Sequence, residues 1–230
     1  MSFSRIASLP EYHAALPAKL VVPENVKQTV VLDTLNTSVI QVKSEASLTI
    51  TGLFEKGWQE RQTLTIQLTG EHASVNLAFF ILGSDAEAFP FDLRIIQSAQ
   101  STKVGSTLRS VLTGRAILDA TGTLVIGRKA QKSSAFFSAG TLLRSLDAKA
   151  KVIPSLEILT DDIRARHAAT IGKLDEGQLF YLQSRGLTYD EASLMLMSAF
   201  MAADVQKIPD EAIRQAVFAD INAALIESNF

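Results

Sequence analysis

Cysteine is absent from the 230 residues. That removes disulfides, zinc fingers, thiol catalysis and any iron–sulfur cluster held by the chain's own thiolates. Histidine occurs three times, at His13, His72 and His167, and a three-histidine metal site would have to draw on all of them from distant parts of the chain. Neither sign of charge dominates: 22 basic against 24 acidic residues leave a net charge of −2, which argues against generic nucleic-acid binding. The longest strongly apolar run, Leu77 to Leu82, is far short of the ~18–20 residues a membrane-spanning helix needs. Residues 1–20 lack the apolar core of a signal peptide, being interrupted by Glu11, His13 and Lys19, so a soluble, cytoplasmic chain is the expectation. No G-x-x-x-x-G-K-[ST], H-E-x-x-H or G-x-S-x-G motif occurs, which leaves nucleotide hydrolysis, zinc proteolysis and serine esterase chemistry without a signature. Asn-Gly and Asp-Gly pairs are missing as well, which weakens an antiparallel meander.

What is present is a foldable chain. Hydrophobic residues make up 47% and charged residues 20%, a composition outside the disordered range. From about Gln28 to Thr160 short runs rich in Val, Ile, Leu, Thr and Phe alternate with period two, as in Ser38-Val-Ile-Gln-Val42 and Thr63-Leu-Thr-Ile-Gln-Leu68. These predict strands, punctuated by Gly52, Gly70, Gly83, Gly114, Gly122 and Gly140. After Asp175 the period becomes helical. Asp175 with Gln178, and Thr188 with Glu191, are spaced as capping boxes. Gly186 stands where a C-terminal cap belongs, and Pro209 where a third helix would begin. Charge divides at the same place: residues 1–150 carry 15 basic and 12 acidic side chains, residues 151–230 carry 7 and 12. Many strands without intervening helices predict a sandwich, a barrel or a solenoid. With no strict short repeat, the pattern leaves sandwich and solenoid equally open.

Among chemistry-bearing residues, His167 stands out beside Glu157, Asp161, Asp162, Arg164 and Arg166. A neutral imidazole among carboxylates can ligate a metal or move a proton near neutral pH. It can equally hydrogen-bond a backbone group where the last strand meets the helical tail. Asp161-Asp162 reads first as turn chemistry. Phe180-Tyr181 and Met195, Met197 and Met201 read as core. Trp58 is a single aromatic at an expected turn.

Pro154-Ser-Leu-Glu-Ile158, Asp161-Asp162, His167-Ala-Ala-Thr-Ile-Gly172, Leu179-Phe-Tyr-Leu182, Ser184-Arg-Gly-Leu187, Glu191-Ala192 and Phe200 follow one another in an order and spacing that resembles the SufB/SufD family of the SUF iron–sulfur cluster assembly system, the SufD side more closely. The specific part covers about 50 residues, with weaker similarity back to Thr107. The resemblance implies a right-handed parallel β-helix followed by a small helical subdomain. It implies a non-catalytic scaffold subunit, not an enzyme, that pairs along its C-terminal strands with a SufB-like subunit or a second copy of itself. It implies docking of a SufC-like ATPase by the helices, through Leu179, Phe180, Tyr181, Arg185, Gly186, Glu191 and Phe200. His167 matches the family's interface histidine and becomes the candidate ligand of a nascent cluster or iron shared transiently with the partner. Glu157, Asp161 and Asp162 are weaker candidates.

The chain departs from the family at two positions. Ala168 replaces the usual glycine after the histidine, and Ala148 falls where SufB places a cysteine, which disfavours a SufB role. The N-terminal helical region of longer members is expected to be missing. The organisation expected is a lead-in over 1–27, a β-helix core over 28–160 and a helical, ATPase-docking segment over 161–230. A rival reading remains: a β-solenoid or β-sandwich ligand-binding or enzymatic module using His167 with Asp161 or Asp162 in a concave pocket.

Overall fold

A computed structural model of the protein describes residues 4–227; the outermost residues of the expected lead-in and helical segments, 1–3 and 228–230, lie outside the described part. Among the described residues a short 3-10 turn, Ile6–Ser8, precedes thirteen strands. They are β1 (Tyr12–His13), β2 (Lys19–Val22), β3 (Lys27–Leu32), β4 (Ser38–Val42), β5 (Ser47–Phe54), β6 (Gln62–Leu68) and β7 (Ser74–Gly83), then β8 (Ala88–Gln97), β9 (Lys103–Leu112), β10 (Ile117–Ile126), β11 (Ser133–Leu143), β12 (Lys149–Ile158) and β13 (Ile163–Lys173). Three helices follow: α1 (Glu176–Ser184), α2 (Tyr189–Val205) and α3 (Glu211–Glu227). The odd strands form one seven-stranded sheet and the even strands a six-stranded one, each in sequence order. Every strand pairs in parallel with the strand two before it. The chain therefore coils as a parallel β-helix with two strands per turn, and the tie between sandwich and solenoid resolves to the solenoid.

Two hydrophobic layers hold it. Alternate residues of both sheets point inward, and Val30, Ile50, Leu77, Ser106 and Phe137 stack rung upon rung along one such row. The outer face of the seven-stranded sheet is covered by α2 and α3, with Val31, Leu53, Phe80, Leu82 and Val111 packed against Met197, Met201, Val217 and Ile221. Strands under the helices are thus buried on both faces. This is why Phe79-Phe80-Ile81-Leu82 runs apolar without alternation while Ser74-Val-Asn-Leu-Ala alternates.

The repeat missing from the sequence is present in the backbone. Asn25, Glu45, His72, Ser101 and Lys132 all adopt positive φ, between 56° and 61°, at one corner of successive turns. Each donates its N–H to a carbonyl of the following rung, from Asn25 to Ser44 (3.0 Å) through Ser101 to Gln131 (2.8 Å) and Lys132 to Asp162 (2.6 Å). Backbone bonds, not a shared residue type, define this corner.

The strands begin ahead of Gln28 and continue beyond Thr160, so residues 163–173 form a strand rather than the start of the helical segment. Four of the glycines taken as punctuation lie within strands. A Cβ at Gly52 or Gly122 would collide with Phe54 and Phe79 or with Phe137; their absent side chains leave room for those rings.

Candidate functional site

The last turn, β12 and β13, ends both sheets, and no element covers it among the described residues. β13 pairs on one side with β11, setting His167 opposite Phe137. His167 is therefore the top of the inward row that descends through Phe137, Ser106, Leu77 and Ile50. Lower members of that row are buried, but His167 is exposed because nothing stacks on it. Ile163, Ala165 and Ala169, on the same inward face of β13, still touch the core. The histidine thus sits in mid-strand at the mouth of the solenoid, not at the junction with the helices.

The other three sequence candidates do not converge on it. Glu157 lies on β12, in the opposite sheet and facing outward, where its carboxylate meets Arg94 at 3.6 Å. Asp161 and Asp162 form the exposed turn between the last two strands. Their backbone carbonyls accept from Ile163 (3.1 Å) and Lys132 (2.6 Å). No group of three or more His, Asp or Glu side chains among the described residues is placed to hold a metal ion. One imidazole with open coordination space is what the rung offers.

The helical face is built by its caps. Asp175 accepts from the N–H of Gln178 at 2.7 Å, and Gly186, at φ +100°, closes α1, its N–H donating to Gln183 and that of Leu187 to Leu182. Thr188 and Glu191 form the full reciprocal box at the start of α2. Hydrogen bonds from Thr188, backbone first and side chain second, hold the Glu191 carboxyl below its ordinary range. α3 begins at Glu211 rather than at Pro209, and Asp210 caps it, accepting from the N–H of Ile213 at 3.0 Å.

The seven expected docking residues divide accordingly. Phe180 and Tyr181 are 73% and 56% exposed, with Arg185 lying 5.3 Å over the Tyr181 ring. Leu179 is buried, Gly186 and Glu191 serve the caps, and Phe200 packs against Arg109. Phe180-Tyr181 and the half-exposed Met195 are consequently surface, not core; Met197 and Met201 are core as expected. Two open cavities flank α1. One of about 390 Å³ is lined by Leu143, Arg144, Leu146, Phe180 and Tyr189. The other, of about 470 Å³, runs between α1 and α2 against Tyr181, Leu182, Met195 and Leu196.

Three features had no signal in the sequence. Arg109 on β9 pairs with the buried Asp204 at the end of α2, which Lys207 also contacts at 2.5 Å. Asp220 of α3 accepts from the amides of Arg5 (3.0 Å) and Ile6 (2.9 Å), tying the two ends of the chain together. Trp58 lies in the loop between β5 and β6 as expected, but its side chain turns inward and packs edge-on against Phe54, Phe89 and Phe91. Partners so far apart along the chain leave no local pattern.

No helix among the described residues is long and apolar enough to cross a membrane. Residues 19–200 match the family described as "SUF system FeS cluster assembly, SufBD core domain". The iron–sulfur cluster assembly protein SufD of Escherichia coli (strain K12) is 35% identical over 112 residues, 49% of this chain and 26% of that protein. A chloroplastic protein of Arabidopsis thaliana, ABCI7, is 26% identical over 178 residues, 76% of this chain and 37% of its own. The iron–sulfur cluster assembly protein SufB of Bacillus subtilis (strain 168) is 36% identical over 90 residues, 39% and 19% of the two chains. The matched part is thus between about a fifth and two fifths of the length of these relatives.

Proposed function

The chain belongs to the SufBD core family of SUF iron–sulfur cluster assembly proteins, and on that premise we propose that it is a non-catalytic, SufD-like scaffold subunit that pairs through its last rung and docks a SufC-like ATPase with its helices. The observation that carries this reading is the contrast between the two ends of the solenoid. At the first end Leu16 plugs the interior, fixed by Asn36, whose side chain bonds both the N–H (2.9 Å) and the C=O (2.7 Å) of Leu16. At the last end the inward residues Val152, Leu156, Ile163 and Ala165 are only partly buried, and Ile153, Ile158, Leu159 and Ile171 are more than two-fifths exposed. A bare, partly apolar strand edge is a template for another strand.

The cluster is cargo in this account. His167, at the mouth of the solenoid, supplies one nitrogen ligand; thiolates come from the partner, since none exists in this chain. Glu157, engaged with Arg94, contributes least, and Asp161 and Asp162 lie at the turn beside the pairing edge. Phe180, Tyr181 and the cavity between α1 and α2 receive the ATPase, whose nucleotide-driven movement is passed to the rung through α2 and its Asp204–Arg109 link. The rival pocket module expects His167 and an aspartate in a shared concavity; these side chains line none of the cavities flanking α1.

The test is co-purification with a SufC-like ATPase, nucleotide-free and ATP-bound, followed by reconstitution of the complex with a SufB-like subunit. Binding in at least one nucleotide state is expected, and binding in neither contradicts the proposal. In the same assay His167→Ala lowers cluster yield while the melting temperature of the chain stays unchanged; an unaltered yield removes His167 from the site.

A further inference from the structure

Resting on the pairing reading above, we infer that the last rung is charged so as to refuse a second copy of this chain and to accept a different β-helical chain whose matching edge strand is acidic. β13 carries Arg164, Arg166 and Lys173 and not one carboxylate between Ile163 and Lys173. β12, beside it, adds Lys149 and Lys151, and its single acid, Glu157, is already paired with Arg94 of β8. All five cations are exposed, and none is in an ion pair among the described residues. The two remaining acids of this turn, Asp161 and Asp162, are confined to the corner between the strands.

The consequence does not depend on register. When β13 lies against a second β13, no alignment sets a cation opposite a carboxylate, because the strand has none. Strands in a sheet are about 4.8 Å apart, inside the Debye length of about 10 Å at 0.1 M salt, so the repulsion is only partly screened. Like charges facing one another across strands oppose pairing, and opposite charges favour it. Charged edges also keep sheets from joining indiscriminately. Here that protection is of one sign only and leaves the edge open to an acidic strand. α2 and α3 cover the outer face of the seven-stranded sheet, not its last edge, and α1 brings Glu176 only to the Lys173 end of β13.

A test needs no partner protein. The double variant Arg164→Glu, Arg166→Glu changes only exposed side chains, so its thermal unfolding should match that of the parent chain. Analytical ultracentrifugation of parent, variant and their equimolar mixture is then compared at low and high salt. The mixture is expected to associate about tenfold more tightly than either chain alone, the equivalent of two or three cross-strand charge pairs. High salt should erase the difference. The neutral double variant Arg164→Gln, Arg166→Gln should self-associate more readily than the parent. Parent self-association equal to that of the mixture and indifferent to salt overturns the charge selection while leaving edge pairing intact. Absence of association in every combination and at every salt concentration overturns edge pairing itself.

Discussion

Arg109 shows how much of this protein depends on single side chains that span elements. It leaves β9 on the outer face of the seven-stranded sheet, lies 5.4 Å from the Phe200 ring and neutralises Asp204, which is 1% exposed. Gly140 on β11 provides the space, since a Cβ there would occupy the position of the guanidinium. Removing Arg109 leaves the buried Asp204 with Lys207 as its remaining cation, so Arg109→Ala should cost about 2 kcal/mol in denaturant unfolding. Gly140→Ala should destabilise for the same reason; a Gly140→Ala protein as stable as the parent would show that Arg109 is not held there. Glu55 is a second case. Burial, then the carboxylates of Glu227 and Asp220, raise its pKa. A carboxyl whose pKa is raised on folding favours the folded state below its unfolded value, and this stabilisation is lost as pH rises through the folded value. Glu55→Gln should therefore gain stability relative to the parent at about pH 7 and little at about pH 4, measured by urea unfolding at both. Neither residue was legible in the sequence. Asp204 is 95 positions from Arg109, and a glycine that makes room for a side chain looks the same as one that ends a strand.

Elements were legible where their signals are local. Thr188 with Glu191 and Asp175 with Gln178 are three apart; the first pair forms the reciprocal box, and in the second Asp175 caps α1 through the N–H of Gln178 alone. Pro209 as the first helical residue sets the third helix two residues early, because Asp210 takes the N-cap and the helix begins at Glu211. Strand β13 is not legible because the exposed His167 stands at an inward position and interrupts the alternation that Ile163-Arg-Ala-Arg166 begins. The corner of positive-φ residues escaped as well, because Asn, Glu, His, Ser and Lys fill equivalent positions. Thr188→Ala removes the N-cap of α2 and should cost about 1 kcal/mol by thermal unfolding. The bonds that Thr188 makes to Glu191 also lower the Glu191 pKa. Their stabilisation is present above the unfolded carboxyl value and disappears as pH falls through the folded one. The gap between parent and Thr188→Ala should therefore narrow in acid, and a gap that is constant with pH would contradict the capping box as its source.

At the scale of the molecule the chain is a coil closed at one end and open at the other. Leu16 and Asn36 seal the first turns, Asp220 ties the N-terminal residues to α3, and β12 and β13 are left bare. Composition and period reached the strand-rich and helical halves but not the coil. Parallel pairing between residues some 30 positions apart leaves no mark that distinguishes it from a sandwich, and only the ordered motifs between Pro154 and Phe200 did so. The central claim is that the open rung is where a partner joins. Amide hydrogen exchange on the chain alone and after mixing with a SufB-like subunit tests it most directly. New protection is expected to concentrate in residues 163–173, with β1 to β4 unchanged. Exchange in β13 that is the same with and without the partner, in a mixture shown to form a complex, would contradict it.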